Sequence, residues 1–321
     1  MRSSKRIRCY FLASLLVLSA PAMAAWPDDQ NIELVVGFAP GGGTDLTARA
    51  MAPFLERKLG GRARVVVVNK PGAAGEISTS YVSRSKPDGY TIGFINVPGF
   101  VFIPMYKKAA YQMSDLRIIA RVVDDPAVLI ARKDAQYSDL KSIVAALSKD
   151  PGSLSFATSG RGTSGHLALL KIERATGVQG TDIAYKGAGE FKSALVGGHV
   201  NYAFVSVAEF LVTDSESSPV RPLLLLNDKR MAVLPNVPTA HEEGYKILMS
   251  SERGIAGPAA MTDDIANRLQ QAIKDTLEDP VFVQSVKSDA PVIAYMPGAQ
   301  WTESLATHPA SLQAFVARMQ E

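Results

Sequence analysis

The sequence predicts an α/β protein built from two similar units, each a parallel sheet covered by helices. Three observations carry this reading. Short apolar, β-branched runs such as Glu33–Phe38 and Arg64–Asn69 have the composition of strands buried on both faces. Stretches with helical spacing alternate with those runs, as βαβ units require. Strand, glycine turn and helix meet at four joints, 39–45, 70–76, 159–166 and 186–190. In open parallel sheets such turns gather beyond the carboxyl ends of the strands, where ligands bind.

Residues 1–24 read as a leader rather than as part of the fold. Arg2, Lys5, Arg6 and Arg8 form a basic start, Tyr10–Ala20 is apolar, and Ala22-Met23-Ala24 is a small-x-small cleavage site. This is a secretory signal, too short for a membrane span and without a twin-arginine pair. The single cysteine, Cys9, precedes the apolar core and leaves with it. A disulfide, a thiol nucleophile and a Cys-ligated metal are thereby excluded from the mature chain. The formal charge of +3 also comes from the leader. Without its four basic residues the 34 Lys and Arg fall to 30 against 31 acids, a net −1, so there is no nucleic-acid footprint. The expectation is an exported, periplasmic, monomeric protein with no cofactor and no metal, cleaved after Ala24.

In chain order, Glu33–Phe38 is the first strand, Pro40–Gly43 its turn, and Asp45 to about Leu59 a helix bent at Pro53. Arg64–Asn69, helix Glu76–Ser85 and strand Tyr90–Asn96 complete the first βαβαβ run. Leu116–Val123 and Ala127–Ala131 read as two strands parted by Asp124-Asp125-Pro126, a crossing between domains. The second unit comprises helix Tyr137–Lys149, strand Leu154–Thr158, helix His166–Thr176, strand Thr181–Tyr185, helix Glu190–Val196, and strands Val200–Ser206 and Val220–Asn227. Arg253–Gly257 crosses back, Thr262–Glu278 is an amphipathic helix opened by Thr262, and Pro297–Met319 is a C-terminal helix. Domain 1 is then 25–125 with its return at 248–321, and domain 2 is 126–247.

The first joint is an anion cradle. A strand that turns through glycines into a helix leaves backbone N–H groups unpaired at the positive end of the helix dipole. Ser159, Thr163 and Ser164 offer hydroxyls at the third joint. Gly160–Gly165 also fits G-x-G-x-x-G, with Asp182 downstream, but not in the first βαβ unit and with Arg161 in the turn. No P-loop pattern occurs. The histidines His166, His199, His241 and His308 are scattered without H-E-x-x-H, and His241-Glu242-Glu243 lacks the cysteines of a deaminase. Gly162-Thr163-Ser164 approaches G-x-S-x-G, but His166 stands at the last glycine position. Ser83–Lys86 and Ser138–Lys141 are S-x-x-K matches on helical stretches, without partners. His166, in the first turn of its helix, either meets a ligand carboxylate or packs.

An ordered set of motifs resembles a known family. Phe38–Asp45 (FAPGGGTD), Asn69–Gly75 (NKPGAAG), Pro87–Thr91 (PDGYT), Gly162-Thr163-Ser164-x-His166-Leu167, Tyr185-Lys186-Gly187 and Leu234-Pro235-x-Val237-Pro238-Thr239 fall in sequence. Together they resemble the Bug-type solute receptors of tripartite tricarboxylate transporters, over essentially the whole mature chain. The resemblance implies a type II periplasmic-binding-protein fold, two α/β domains around a central cleft with two crossing strands. It implies a small carboxylate or its amide as ligand, delivered without catalysis to a large and a small integral membrane subunit. Carried over, one wall is Phe38, Ala39, Pro40, Gly41, Gly42, Thr44 and Asp45 with Ala73 and Ala74. The facing wall is Ser159, Gly162, Thr163, Ser164 and His166 with Tyr185, Gly187, Ala188, Val205 and Ser206. Where many members carry an aromatic before the returning strand, this chain has Ser251-Glu252-Arg253. Arg253 either meets a second carboxylate or pairs with Glu252 or another acid. Two other readings stand beside the receptor: an orphan receptor that signals to a sensor kinase, and a secreted enzyme using the 159–166 loop.

Overall fold

The computed structural model describes residues 26–212 and 217–319; the leader and its cleavage site lie outside them. Domain 1 opens with β1 (Ile32–Val36), α1 (Gly43–Leu59), β2 (Val65–Asn69), α2 (Glu76–Ser83), β3 (Thr91–Val97) and α3 (Gly99–Tyr106). The long β4 (Leu116–Arg132) leads into domain 2, made of α4 (Leu140–Lys149), β5 (Ser155–Thr158), α5 (Ser164–Thr176), β6 (Thr181–Ala184), α6 (Ala188–Val196), β7 (Tyr202–Ser206), α7 (Val207–Leu211) and β8 (Val220–Leu225). The chain returns through β9 (Ser250–Pro258) to α8 (Asp263–Leu277), α9 (Pro280–Ser285), β10 (Ile293–Pro297), α10 (Gly298–Leu305) and α11 (His308–Val316).

The strand order is β2-β1-β3-β9-β4 in the first sheet and β4-β7-β5-β6 in the second, with β10 and β8 also pairing β4. β1 pairs β2 and β3 in parallel, and β5 does the same with β6 and β7, so each unit is a βαβ sheet as expected. β1 and β3 are largely buried on both faces, but β2, at the edge of the sheet, departs from its sequence reading: Val65 is buried and Val66 is 43% exposed. Ile32, Leu34 and Val36 enter one apolar layer while Val35 enters the other, the period-2 alternation of a strand between two helix layers.

The crossing differs from its sequence reading. Leu116–Val123 and Ala127–Ala131 are one strand, without a break at Asp124-Asp125-Pro126. The first half of β4 pairs β9 as far as Pro126, with register shifts between Ile118 and Ala120 and between Arg121 and Val123; from Ala127 it pairs β7 and β8. Proline lacks a donor for the ladder, and Pro126 sits where β4 changes partners, so the missing N–H costs little. The acid at 125 is tolerated because an arginine meets it, as described below. The second link between domains lies alongside: Ala127 N–H donates to Met249 O and Leu226 N–H to Ala127 O, both at 2.9 Å.

Three other differences have local causes. The expected C-terminal helix 297–319 is split, because β10 ends at Pro297 and Pro309 can enter only the first turn of a new helix. α3, Gly99–Tyr106, is apolar almost all round and shows no amphipathic period. The helix expected from Tyr137 starts at Leu140, where the Asp139 side chain accepts from Ser142 N–H at 2.7 Å and caps it.

Candidate functional site

Two helix N-termini face each other where the domains meet. α1 comes from domain 1 after the turn Gly37–Gly42, in which Gly41 takes φ +83°, a conformation open to glycine. Asp45 braces this turn from inside the helix. Its carboxylate accepts from Gly41 N–H at 2.9 Å and from Asn69 Nδ2 at 2.8 Å, and pairs with Arg49 at 3.0 Å. Burial acts to raise the Asp45 pKa, but the hydrogen bonds from Arg49, Gly41 and Asn69 outweigh it and hold the carboxyl below its ordinary range. α5 comes from domain 2 after Ser159–Thr163. Thr163 is its N-cap residue, yet the hydroxyl donates to Gly160 O at 2.7 Å and makes no capping bond. The first-turn N–H groups of α5 are therefore without a side-chain cap.

Between these ends lies a cavity of about 50 Å³, room for a few water molecules. Phe38, Gly42, Gly43, Thr44 and Ala74 line it from one side, and Ser159, Thr163, Ser164, Gly187, Val205 and Ser206 from the other. The crossing strand β9 contributes Ser251 and Arg253. Asn96, at the end of β3, donates through Nδ2 to Thr44 Oγ1 at 2.8 Å, which leaves the Thr44 hydroxyl hydrogen free to point elsewhere. Ala73 and Ala74 take positive φ, 48° and 55°, a conformation rare outside glycine.

Of the residues anticipated from sequence, Phe38, Gly42, Thr44, Ala74, Ser159, Thr163, Ser164, Gly187, Val205, Ser206 and Arg253 are on the cavity wall. The others fall elsewhere. Pro40 and Gly41 are exposed at the rim, and Ala39 faces Gly187 across it. Ala73 and Tyr185 line an outer crevice between the domains, and Tyr185 also packs edge-on against Phe191. Gly162 backs onto Phe102, Ile103 and Tyr106 of α3. Ala188 opens α6.

His166 is not on the wall. It is buried beneath the 159–165 loop, where Nδ1 accepts from Gly162 N–H at 3.4 Å and Nε2 lies 3.9 Å from Asp182. Burial pushes its pKa down, against the pull of Asp182. Asp182, the acid that completed the dinucleotide pattern in sequence, accepts from Thr158 Oγ1 at 2.7 Å. Both residues support the loop from below.

Arg253 is 2% exposed and pairs through Nη2 with Asp125, itself wholly buried. The acid it meets is thus Asp125 rather than the adjacent Glu252. Asp125 also accepts from Ala208 N–H at 3.1 Å. Burial drives its pKa up to about 6 even with Arg253 beside it. Arg253 Nε is buried without a hydrogen-bond partner.

The sequence reading missed Glu209. Its carboxylate lines the cavity and reaches across it: Oε1 accepts from Gly43 N–H at 3.0 Å and Oε2 from Ser206 N–H at 3.2 Å. A signal was present, because Ser206-x-x-Glu209 is a capping box and opens the short α7. Its reach to α1 in the other domain had no signal.

A family model described as the tripartite tricarboxylate transporter family receptor, TctC, matches residues 47–313. The chain belongs to that family. Protein BugT of Bordetella pertussis is 30% identical over 283 residues, 86% of either chain. The solved periplasmic binding protein BugD is 29% identical with a TM-score of 0.82, covering 89% of this chain and 97% of its own. MatC from Rhodopseudomonas palustris, solved with bound malate, superposes with a TM-score of 0.77 at 24% identity, covering 90% of this chain and 97% of its own. The TctC receptor chain thus has the two-domain fold of periplasmic binding proteins, its cavity lies at the domain junction, and no helix among the described residues is long and apolar enough to cross a membrane.

Proposed function

We propose that this receptor captures a small organic carboxylate in the interdomain cavity and hands it to the large and small membrane subunits of a tripartite tricarboxylate-type transporter, without chemical turnover. The observation that carries the reading is the uncapped N-terminus of α5 on the cavity wall, with the Ser159 and Ser164 side chains beside it. Free N–H groups at a helix start, with the helix dipole behind them, favour an anion there. The malate held by MatC supports a carboxylate as the ligand class. The strengths suffice: a hydrogen bond to a charged group contributes about 1.5–3 kcal/mol, and micromolar binding needs about 8 kcal/mol net. Four such bonds give about 6–12 kcal/mol before ordering costs, and the helix dipole adds about 0.3–1 kcal/mol more. The small volume favours a short carbon chain.

On this reading residues 1–24 direct export and are removed after Ala24, placing the receptor in the periplasm. Purified mature protein screened by thermal shift and native mass spectrometry against C3–C6 mono- and dicarboxylates should show a one-to-one complex and a raised melting temperature. Release of a chemically altered acid would replace the receptor by an enzyme. Co-purification with tagged membrane subunits tests delivery; capture of a sensor kinase instead would make it a signalling receptor.

A further inference from the structure

We infer that Glu209 makes this cavity selective for acids whose far end carries an N–H group, half-amides and ω-amino acids, and turns away dicarboxylates. The inference rests on the reading above, that a ligand carboxylate sits at α5. At the opposite end of the cavity the α1 N-terminus already has an anion, because Glu209 Oε1 accepts from Gly43 N–H at 3.0 Å. A second ligand carboxylate has no seat there.

The local charge points the same way. A Cβ placed on Gly43 would lie 2.5 Å from Arg253 Nη1 and 3.2 Å from Glu209 Oε1, so guanidinium and carboxylate converge on one spot. Arg253, however, is paired with Asp125. Asp289 and the Lys192 ammonium, which donates to Glu209 O at 2.6 Å, also act on this cluster; three carboxylates then face one guanidinium and one ammonium, and a further anion is repelled. Each Glu209 oxygen accepts one backbone N–H and keeps a lone pair for another donor. The buried Arg253 Nε meanwhile lacks an acceptor. A carboxamide or an ammonium group supplies the donor to Glu209, whereas Arg253 Nε is covered on all sides and out of a ligand's reach.

Dicarboxylates and their half-amides differ in charge and donors while keeping the same shape, which makes them the probes. Calorimetric titration of the wild type with malonate, succinate and glutarate against malonamate, succinamate and glutaramate should show the half-amide tighter by about 10- to 100-fold at the length that fits. In Glu209→Gln, which keeps an acceptor for Gly43 N–H, the ratio should shrink or reverse. Equal or tighter binding of the dicarboxylate by the wild type overturns the inference and leaves carboxylate capture standing. So does a ratio unchanged in Glu209→Gln, since another group must then read the amide. If none of the six acids binds while another acid of the C3–C6 screen does, this inference alone falls; if no acid of either set binds, carboxylate capture fails and this inference with it. The wild-type comparison decides the matter even if the variant does not fold.

Discussion

Replacing Asp125 by Asn tests how the crossing strands are held. Asp125 and Arg253 are almost wholly buried and joined side chain to side chain between β4 and β9. The substitution keeps the shape but turns an acceptor into an amide. The amide oxygen can still receive Ala208 N–H, while its nitrogen then opposes Arg253 Nη2, donor against donor. With Nε already unpartnered, the guanidinium is left buried with little to accept from it. Breaking one half of a buried pair costs about 3–5 kcal/mol. Asp289, held by Thr47 Oγ1 at 2.6 Å, and Glu209 both belong to the same charge cluster and keep the cost near the lower end. With an m-value on the order of 3 kcal/mol/M, the urea midpoint should fall by roughly 1–1.5 M, read by fluorescence of the buried Trp301.

The control is the double replacement Asp125→Leu with Arg253→Met. Burial, helped by the nearby Glu209 charge, drives Asp125 up to about 6 despite its partner, so the pair is costly to bury as well as costly to break. An apolar pair of similar volume should therefore recover most of the loss. The pH arm has a definite sign. A carboxyl raised from 3.8 to about 6 on folding contributes stability fully present below 3.8 and lost as pH rises through about 6, and Asp125→Asn should lack that slope. A midpoint shift under about 0.3 M for Asp125→Asn, or a double variant as unstable as the single one, would refute the reasoning.

Three further outcomes follow from the same contacts. Gly43→Ala should lower ligand affinity at least about tenfold by titration, because its Cβ would fall 2.5 Å from Arg253 Nη1 and 2.8 Å from Glu209 Cγ. Gly42→Ala, whose nearest neighbour is Ala39 O at 3.6 Å, should keep the wild-type unfolding midpoint. Thr163→Val removes the hydroxyl that ties the loop to Gly160 O, so affinity should drop several-fold with the unfolding midpoint nearly unchanged; unaltered affinity takes Thr163 out of the site. His308 Nε2 lies 3.1 Å from Glu252, whose carboxylate raises the imidazole pKa above 6.5. That stability is fully present below 6.5 and fades as pH rises through the folded value. His308→Asn should therefore flatten melting temperature against pH above 6.5, and an unchanged slope would place the titration elsewhere.

Much of the fold was legible because it is written in neighbouring residues. The runs at 33–38 and 64–69 are β-branched and apolar, and the glycines at 41–43 and 160–165 mark turns on backbone grounds alone. The walls of the cavity followed, since a strand–turn–helix joint points its turn one way. The errors came where tertiary context overrode local pattern. Asp124-Asp125-Pro126 looked like a break because a buried acid needs a partner, and the partner lies 128 residues further on. For His166 the sequence left two readings open, ligand contact or packing, and only the fold chose between them: Gly162 and Asp182 hold its ring below the loop.

The opening joint shows the division most plainly. By itself the sequence determined that Glu33–Glu56 forms a strand, a glycine turn and a helix with free N–H groups at its start. Only the tertiary structure decided what meets them. Gly43 N–H receives a carboxylate 166 positions away, supplied by a five-residue helix of the other domain. Turn and helix propensities act over a few residues, whereas charge and hydrogen-bond complementarity across a cleft depend on how two domains are joined. The chain therefore spelled out an anion cradle, and its folding put Glu209 at one end and left the other end open.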